Sequence, residues 1–182
     1  MRNTITKEKP VMQRAVHSLM IAAACGLLGQ TARADCDRLF EAFDKADKQE
    51  RVAQYDIDSR DQPLTGKPMT VRIGKVMYDG TLAGNVFEAH QTNGVNPVLA
   101  ALRKAKQDGK VTCDAAGGDT YRGQATEKIK FDNPLLPAKF NPMTIWIGKN
   151  NGLPVYHELN DLGPGGFAWV YGSDVKDPVV KK

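Results

Sequence analysis

An α+β fold built on one antiparallel sheet is what this sequence predicts, on three observations. Apolar residues recur at helical spacing in two short segments, one after Cys36 and one after Asn96. Elsewhere the spacing drops to two, the period of a half-buried strand. Glycine-marked turns separate these alternating runs, and in the C-terminal half they read as a meander of hairpins.

Ahead of this domain stands a leader. Ala15 to Gly29 form an apolar run of 15 residues behind Arg2, Lys7, Lys9 and Arg14. The run closes on Ala32-Arg33-Ala34, the small-x-small pattern that signal peptidases cut after. It falls short of the roughly 20 residues that span a bilayer. Residues 1–34 are therefore expected to be a signal peptide, and 35–182 a single periplasmic domain without a membrane span. Lipidation at Cys25, which follows Ala22-Ala23-Ala24, is the competing reading. Met12 is an alternative start to Met1.

The elements follow in order. Leu39, Phe40, Phe43 and Ala46 gather on one face of a helix over 36–48, with Asp37, Glu41, Asp44 and Asp47 around the other. From Arg51 the period becomes two. Ala53, Tyr55 and Ile57 point one way, and Gln54, Asp56 and Asp58 the other. After a turn at Gln62–Gly66, the residues Met69, Val71, Ile73 and Met77 read as a second strand. Asp79-Gly80 reads as a turn and 81–90 as a weaker strand. Asn96-Pro97 starts the second helix, with Asn as cap and Pro at the first helical position. Val98, Leu99, Leu102 and Ala105 form its stripe, and Gly109 stops it. Tyr121 to Phe131 alternates as one strand, and Gly117-Gly118-Asp119 before it reads as a turn. The meander closes with MTIWIG, LPVYHEL and FAWVYG, giving eight or nine strands in all, and VKDPVVKK reads as a frayed tail. No internal repeat and no linker divides the domain, and a monomer is expected.

Charge and inventory exclude several functions. The leader holds five of the 25 Lys/Arg and one of the 21 acids, leaving twenty of each in the mature chain. Nucleic-acid capture needs a basic excess that this chain lacks once processed. Serine hydrolysis lacks its motif, since the mature chain has only Ser59 and Ser173, neither in a G-x-S-x-G context. His90 and His157 show no metal-ligand spacing, so no metal and no cofactor is expected.

Two cysteines remain after cleavage, Cys36 and Cys113, 77 residues apart. In an oxidising compartment such a pair reads as one disulfide. Closing that loop contributes about 4–5 kcal/mol on the chain-entropy account. Trp146, Tyr156, Phe167, Trp169 and Tyr171 fall within 26 residues. Phe167, Trp169 and Tyr171 share a face by alternation, either as ordinary core or as the lining of an apolar pocket.

Trp146, Ile147, Lys149, Gly152, Leu153 and Pro154 make a W-I-x-K-x-x-G-L-P hairpin. It resembles the hairpin common in the periplasmic lipoprotein-carrier superfamily, the Lol-type half-barrel fold. The resemblance implies a curved antiparallel sheet with two helices packed on its concave side and a hollow for an acyl chain. The leading expectation is a non-enzymatic protein whose partner is a lipid or lipoprotein, with Tyr55, Ile73, Phe167, Trp169 and Tyr171 as the candidate ligand-binding lining. Fold alone does not license that function. An envelope interaction module without a ligand site is the main alternative, and an envelope hydrolase a third.

N-terminal sequencing of the exported protein is expected to begin at Asp35. A diacylglyceryl-modified species beginning at Cys25 would overturn the leader reading.

Overall fold

Among the described residues, nine strands form one open sheet in which every strand pair is antiparallel, in the order β4-β3-β2-β1-β9-β8-β7-β6-β5. The structure is a computed structural model that describes residues 35–65, 68–80, 87–91, 97–159 and 165–180. Helix α1 covers residues 35–47. The strands β1 (Arg51–Ile57), β2 (Thr70–Ile73), β3 (Val76–Gly80) and β4 (Phe87–Gln91) follow, then helix α2 (Pro97–Gln107). The second meander is β5 (Cys113–Tyr121), β6 (Gln124–Phe131), β7 (Met143–Gly148), β8 (Pro154–Glu158) and β9 (Gly166–Tyr171). The α+β class with an antiparallel sheet is thus present. Residues 1–34 with the expected leader and Cys25, the Asn96 cap, residues 81–86 and Gly163-Pro164 lie outside the described residues.

Each half of the chain is a run of neighbouring hairpins, and β1 joined to β9 makes one sheet of the two. The connection through α2 therefore leaves one edge strand, β4, and returns at the other, β5.

The strand boundaries differ from the sequence reading where glycine permits a turn. The span Met69–Met77 is two strands, not one, because Gly74 takes φ 57° and lets β2 reverse into β3. Asp79-Gly80 is not a turn but the end of β3, paired with β4. Tyr121–Phe131 is likewise broken. Arg122 and Gly123 both have positive φ (50° and 77°), which a tight hairpin demands at its two central positions. Gly117 and Gly118 lie inside β5 at a register shift rather than in a turn. The C-terminal tail is not frayed over its described length. Val175 is buried, Arg51 donates to its carbonyl at 2.7 Å, and Phe87 N–H donates to Val179 O beside β4.

Helices and sheet share one core. Leu39, Phe40 and Ala42 from α1 and Leu99, Leu102 and Ala105 from α2 pack with Ile129, Phe131, Met143, Ile145 and Ile147. The Phe43 ring meets Phe40 and Phe131 edge-on at 6.2 and 6.3 Å. Arg103 pairs with Asp44 and Lys106 with Asp37, fastening α2 to α1, while Arg38 reaches Glu127 on β6 at 2.6 Å. These pairs are partly exposed and weak compared with the apolar contacts.

The opposite face is also covered. Ile57, Tyr121, Trp146, Val155, Tyr156 and Ala168 form one cluster, and Ala53, Val71, Phe87 and Val175 another. Tyr121, from the tip of the β5–β6 hairpin, stacks on Tyr156 of β8 at 5.2 Å. Arg60, in the loop after β1, holds Asp119 at 2.8 Å and sits 5.3 Å over the Trp146 ring. Asp119 also accepts from Trp146 Nε1 and from Thr120 N–H. Arg60 first, then Trp146 and Thr120, hold this carboxyl well below the usual carboxylate range.

Cys36 at the start of α1 is bonded to Cys113 at the start of β5, as the isolated pair suggested, with Cα atoms 5.2 Å apart. Both cysteines are buried in the helix–sheet core. Replacing both with Ser is expected to lower unfolding stability by about 2–5 kcal/mol. Urea unfolding of the oxidised protein against the double variant measures it.

Candidate functional site

Between α1, α2 and the sheet lies a cavity of about 580 Å³. Strand pairing dictates which side chains reach it. In antiparallel strands, directly opposed residues share a face. Trp169 opposes Gln54, Tyr171 opposes Val52, and Phe167 opposes Asp56 on one side and His157 on the other. His157 opposes Ile145, and Val52 opposes Arg72. The floor is thus a grid whose β7–β9 part is largely aromatic and aliphatic and whose β1–β2 part is more polar.

The remaining walls come from both helices and the segments around β6 and β7. Phe43, Ala46 and Asp47 line it from α1, and Val98, Leu99 and Leu102 from α2. Phe131, Met143 and Leu136 close another side. Val98 is 58% exposed although it belongs to the apolar stripe of α2. The helix turns that residue toward the cavity and not into the packed core.

Among the sequence-predicted residues, Phe167, Trp169 and Tyr171 line the cavity together. Tyr55 and Ile73 do not. They pack beside the cluster of Ala53, Val71, Phe87 and Val175 on the opposite face of the sheet. Their places in the wall are taken by Val52, Gln54, Thr70 and Arg72. Apolar alternation points to the Tyr55 and Ile73 side of β1 and β2, but both sides of those strands are covered. The cavity side of β1 is marked instead by β9, since Val52, Gln54 and Asp56 are the partners of its aromatic face.

His157 occupies the middle of the floor, its ring 4.8 Å from both Phe167 and Trp169. Burial among these rings lowers its pKa from 6.5 to about 4, so the imidazole is neutral near pH 7. The Tyr171 hydroxyl donates to the carbonyl of Pro154 at 2.7 Å, and burial raises its phenol far above the ordinary value. Neither group carries charge into the cavity at neutral pH. Arg72 donates to Ala46 O, near the C-terminal end of α1, at 3.0 Å. Among the described residues no cluster of three or more His, Cys, Asp or Glu is placed to hold a metal.

No protein-family model matches this chain, and neither does any curated protein. Its site is therefore read from its own geometry.

The depressed His157 pKa has a defined consequence. Between about pH 6.5 and 4 the unfolded chain takes up a proton that the folded one refuses. The stability associated with neutral His157 is complete above about pH 6.5 and is lost as the pH falls toward 4. Urea unfolding at pH 7 and pH 4.5 is expected to show a gap that shrinks in His157→Phe by about 1–3 kcal/mol. An unchanged gap would mean that the ring titrates normally.

Proposed function

We propose that this protein binds an apolar ligand, a lipid or a lipoprotein acyl chain, in the cavity between helices and sheet. The observation that carries the reading is the cavity itself. Its volume of about 580 Å³ lies within the roughly 300–1,000 Å³ typical of small-molecule sites. Its wall is mostly aliphatic and aromatic, with Phe167, Trp169 and Tyr171 along one strand. In this reading the sheet curves as a half-barrel with α1 and α2 on its concave side. Contacts between Arg60, just after β1, and Thr120 and Asp119 at the end of β5 support the curvature. Those strands are five places apart in the sheet, roughly 24 Å if it were flat. The protein acts without catalysis or cofactor, as a periplasmic monomer after loss of residues 1–34. The buried Cys36–Cys113 bond agrees with an oxidising compartment.

Trp169 also packs against the helix–sheet core, which favours the rival reading of an interaction module whose aromatic face merely fills its own interior. Trp169→Ala separates the two. A ring that only packs core costs roughly 3–5 kcal/mol on truncation. A ring that walls an open cavity costs less and contributes to binding. The expected outcome is a loss below about 3 kcal/mol with weakened binding of an apolar fluorescent probe. Native mass spectrometry of protein from a periplasmic extract is expected to show a co-purifying lipid. A clean apo mass, with probe binding insensitive to Trp169→Ala, would leave the interaction module.

A further inference from the structure

We propose that the ligand is a single-chain amphiphile with an anionic head, and that Arg72 receives the head while the tail lies over Trp169 and Tyr171. This rests on the cavity being a ligand site, and it adds the chemical class of the ligand and its direction.

The polarity of the wall is not random. Thr70, Gln54 and Arg72 all lie on β1 and β2, next to the end of α1, whereas the β7–β9 floor offers aromatic rings, aliphatic groups and an uncharged His157. Arg72 is the cation of this lining. Elsewhere Arg38, Arg51, Arg60 and Arg103 each hold a carboxylate. Among the described residues, Arg72 makes no ion pair. Its bonds go to the carbonyls of Ala46 and Gly74, at 3.0 and 3.5 Å. A guanidinium has five donors, so these two bonds leave others for a guest. Asp47 also lines the cavity, beside Ala46 in sequence, yet does not pair with Arg72.

Distance fits the same picture. Arg72, Val52 and Tyr171 oppose one another across β2, β1 and β9. Two inter-strand steps of about 4.8 Å place the Arg72 and Tyr171 backbones roughly 10 Å apart. An extended chain anchored at Arg72 therefore crosses Val52 and runs onto the aromatic floor. A carboxylate or phosphate head suits a guanidinium fork, which binds either through paired hydrogen bonds.

The test compares probes of one chain length: dodecanoate, dodecyl phosphate and dodecanol, each displacing a bound fluorescent apolar probe at pH 7, with inorganic phosphate as a control that has the head but no tail. The two anionic amphiphiles are expected to bind about tenfold or more tighter than the alcohol, the scale of one charge-assisted hydrogen bond. Arg72→Gln is expected to erase that preference, so that the two anionic amphiphiles bind no tighter than dodecanol. Should loss of the Ala46 tether unfold Arg72→Gln, Arg72→Lys keeps the charge without the fork and is expected to retain a reduced preference. Equal affinity for acid and alcohol, or a preference that survives Arg72→Gln, overturns the proposal but leaves an apolar site. Displacement by inorganic phosphate alone overturns it in favour of a free-anion site. If dodecanol does not bind either, the cavity is no ligand site, and both readings fall together.

Discussion

The pairing of β1 with β9 is the constraint on which the rest of this structure depends. It joins two separate meanders into one sheet and sets Val52, Gln54 and Asp56 beside Tyr171, Trp169 and Phe167. Without it there is no continuous floor under the helices, and Arg72 and Tyr171 do not share a surface. Glycine makes the close approach of β9 to both of its neighbours possible. A Cβ on Gly166 would sit 2.1 Å from the carbonyl oxygen of His157, and one on Gly165 would sit 2.8 Å from that of Ile57. Both distances are too short for any side chain, so the entry into β9 is restricted to glycine by its neighbours.

Covering both faces of the sheet is the second organising fact. The helices bury one face, and the Tyr121 hairpin tip, the Arg60 loop and the Val175 segment bury much of the other. A sheet covered on two sides gains apolar burial but surrenders the simple inward–outward code of a one-sided sheet. It also separates the aromatics of the C-terminal strands into two groups. Trp146 and Tyr156 contact each other at 4.9 Å within one cluster, while Phe167 and Trp169 flank His157 on the other side.

That arrangement explains what was legible in the sequence. The helix stripes of Leu39, Phe40 and Phe43 and of Leu99 and Leu102 were readable, because a one-sided helix advertises its buried face by spacing. The disulfide was readable from cysteine count, and the face shared by Phe167, Trp169 and Tyr171 from alternation. The lining from β1 and β2 was not. Tyr55 and Ile73 look more like core than Gln54 and Thr70 do, and they do pack, half-buried, against a core, but on the far side. Alternation fixes which residues share a face without saying which face is which. The place of Arg72 is hidden in the sequence for a related reason. Charged residues in alternating strands read as solvent-facing, and an arginine held by a helix carbonyl has no sequence signature of its own.

The β1–β9 joint also has a history in time. Val52 and Tyr171 are more than a hundred residues apart in the chain, so as synthesis proceeds from the N-terminus the first meander exists long before its last partner. During that interval β1 carries a bare edge whose backbone donors and acceptors are free to pair with any other strand. Contacts of such sequence separation form slowly, because loop closure must be met before they give anything back. The interior strand of the finished sheet is therefore the exposed edge of the growing one, and the chain is most prone to pairing with its neighbours just before β9 arrives.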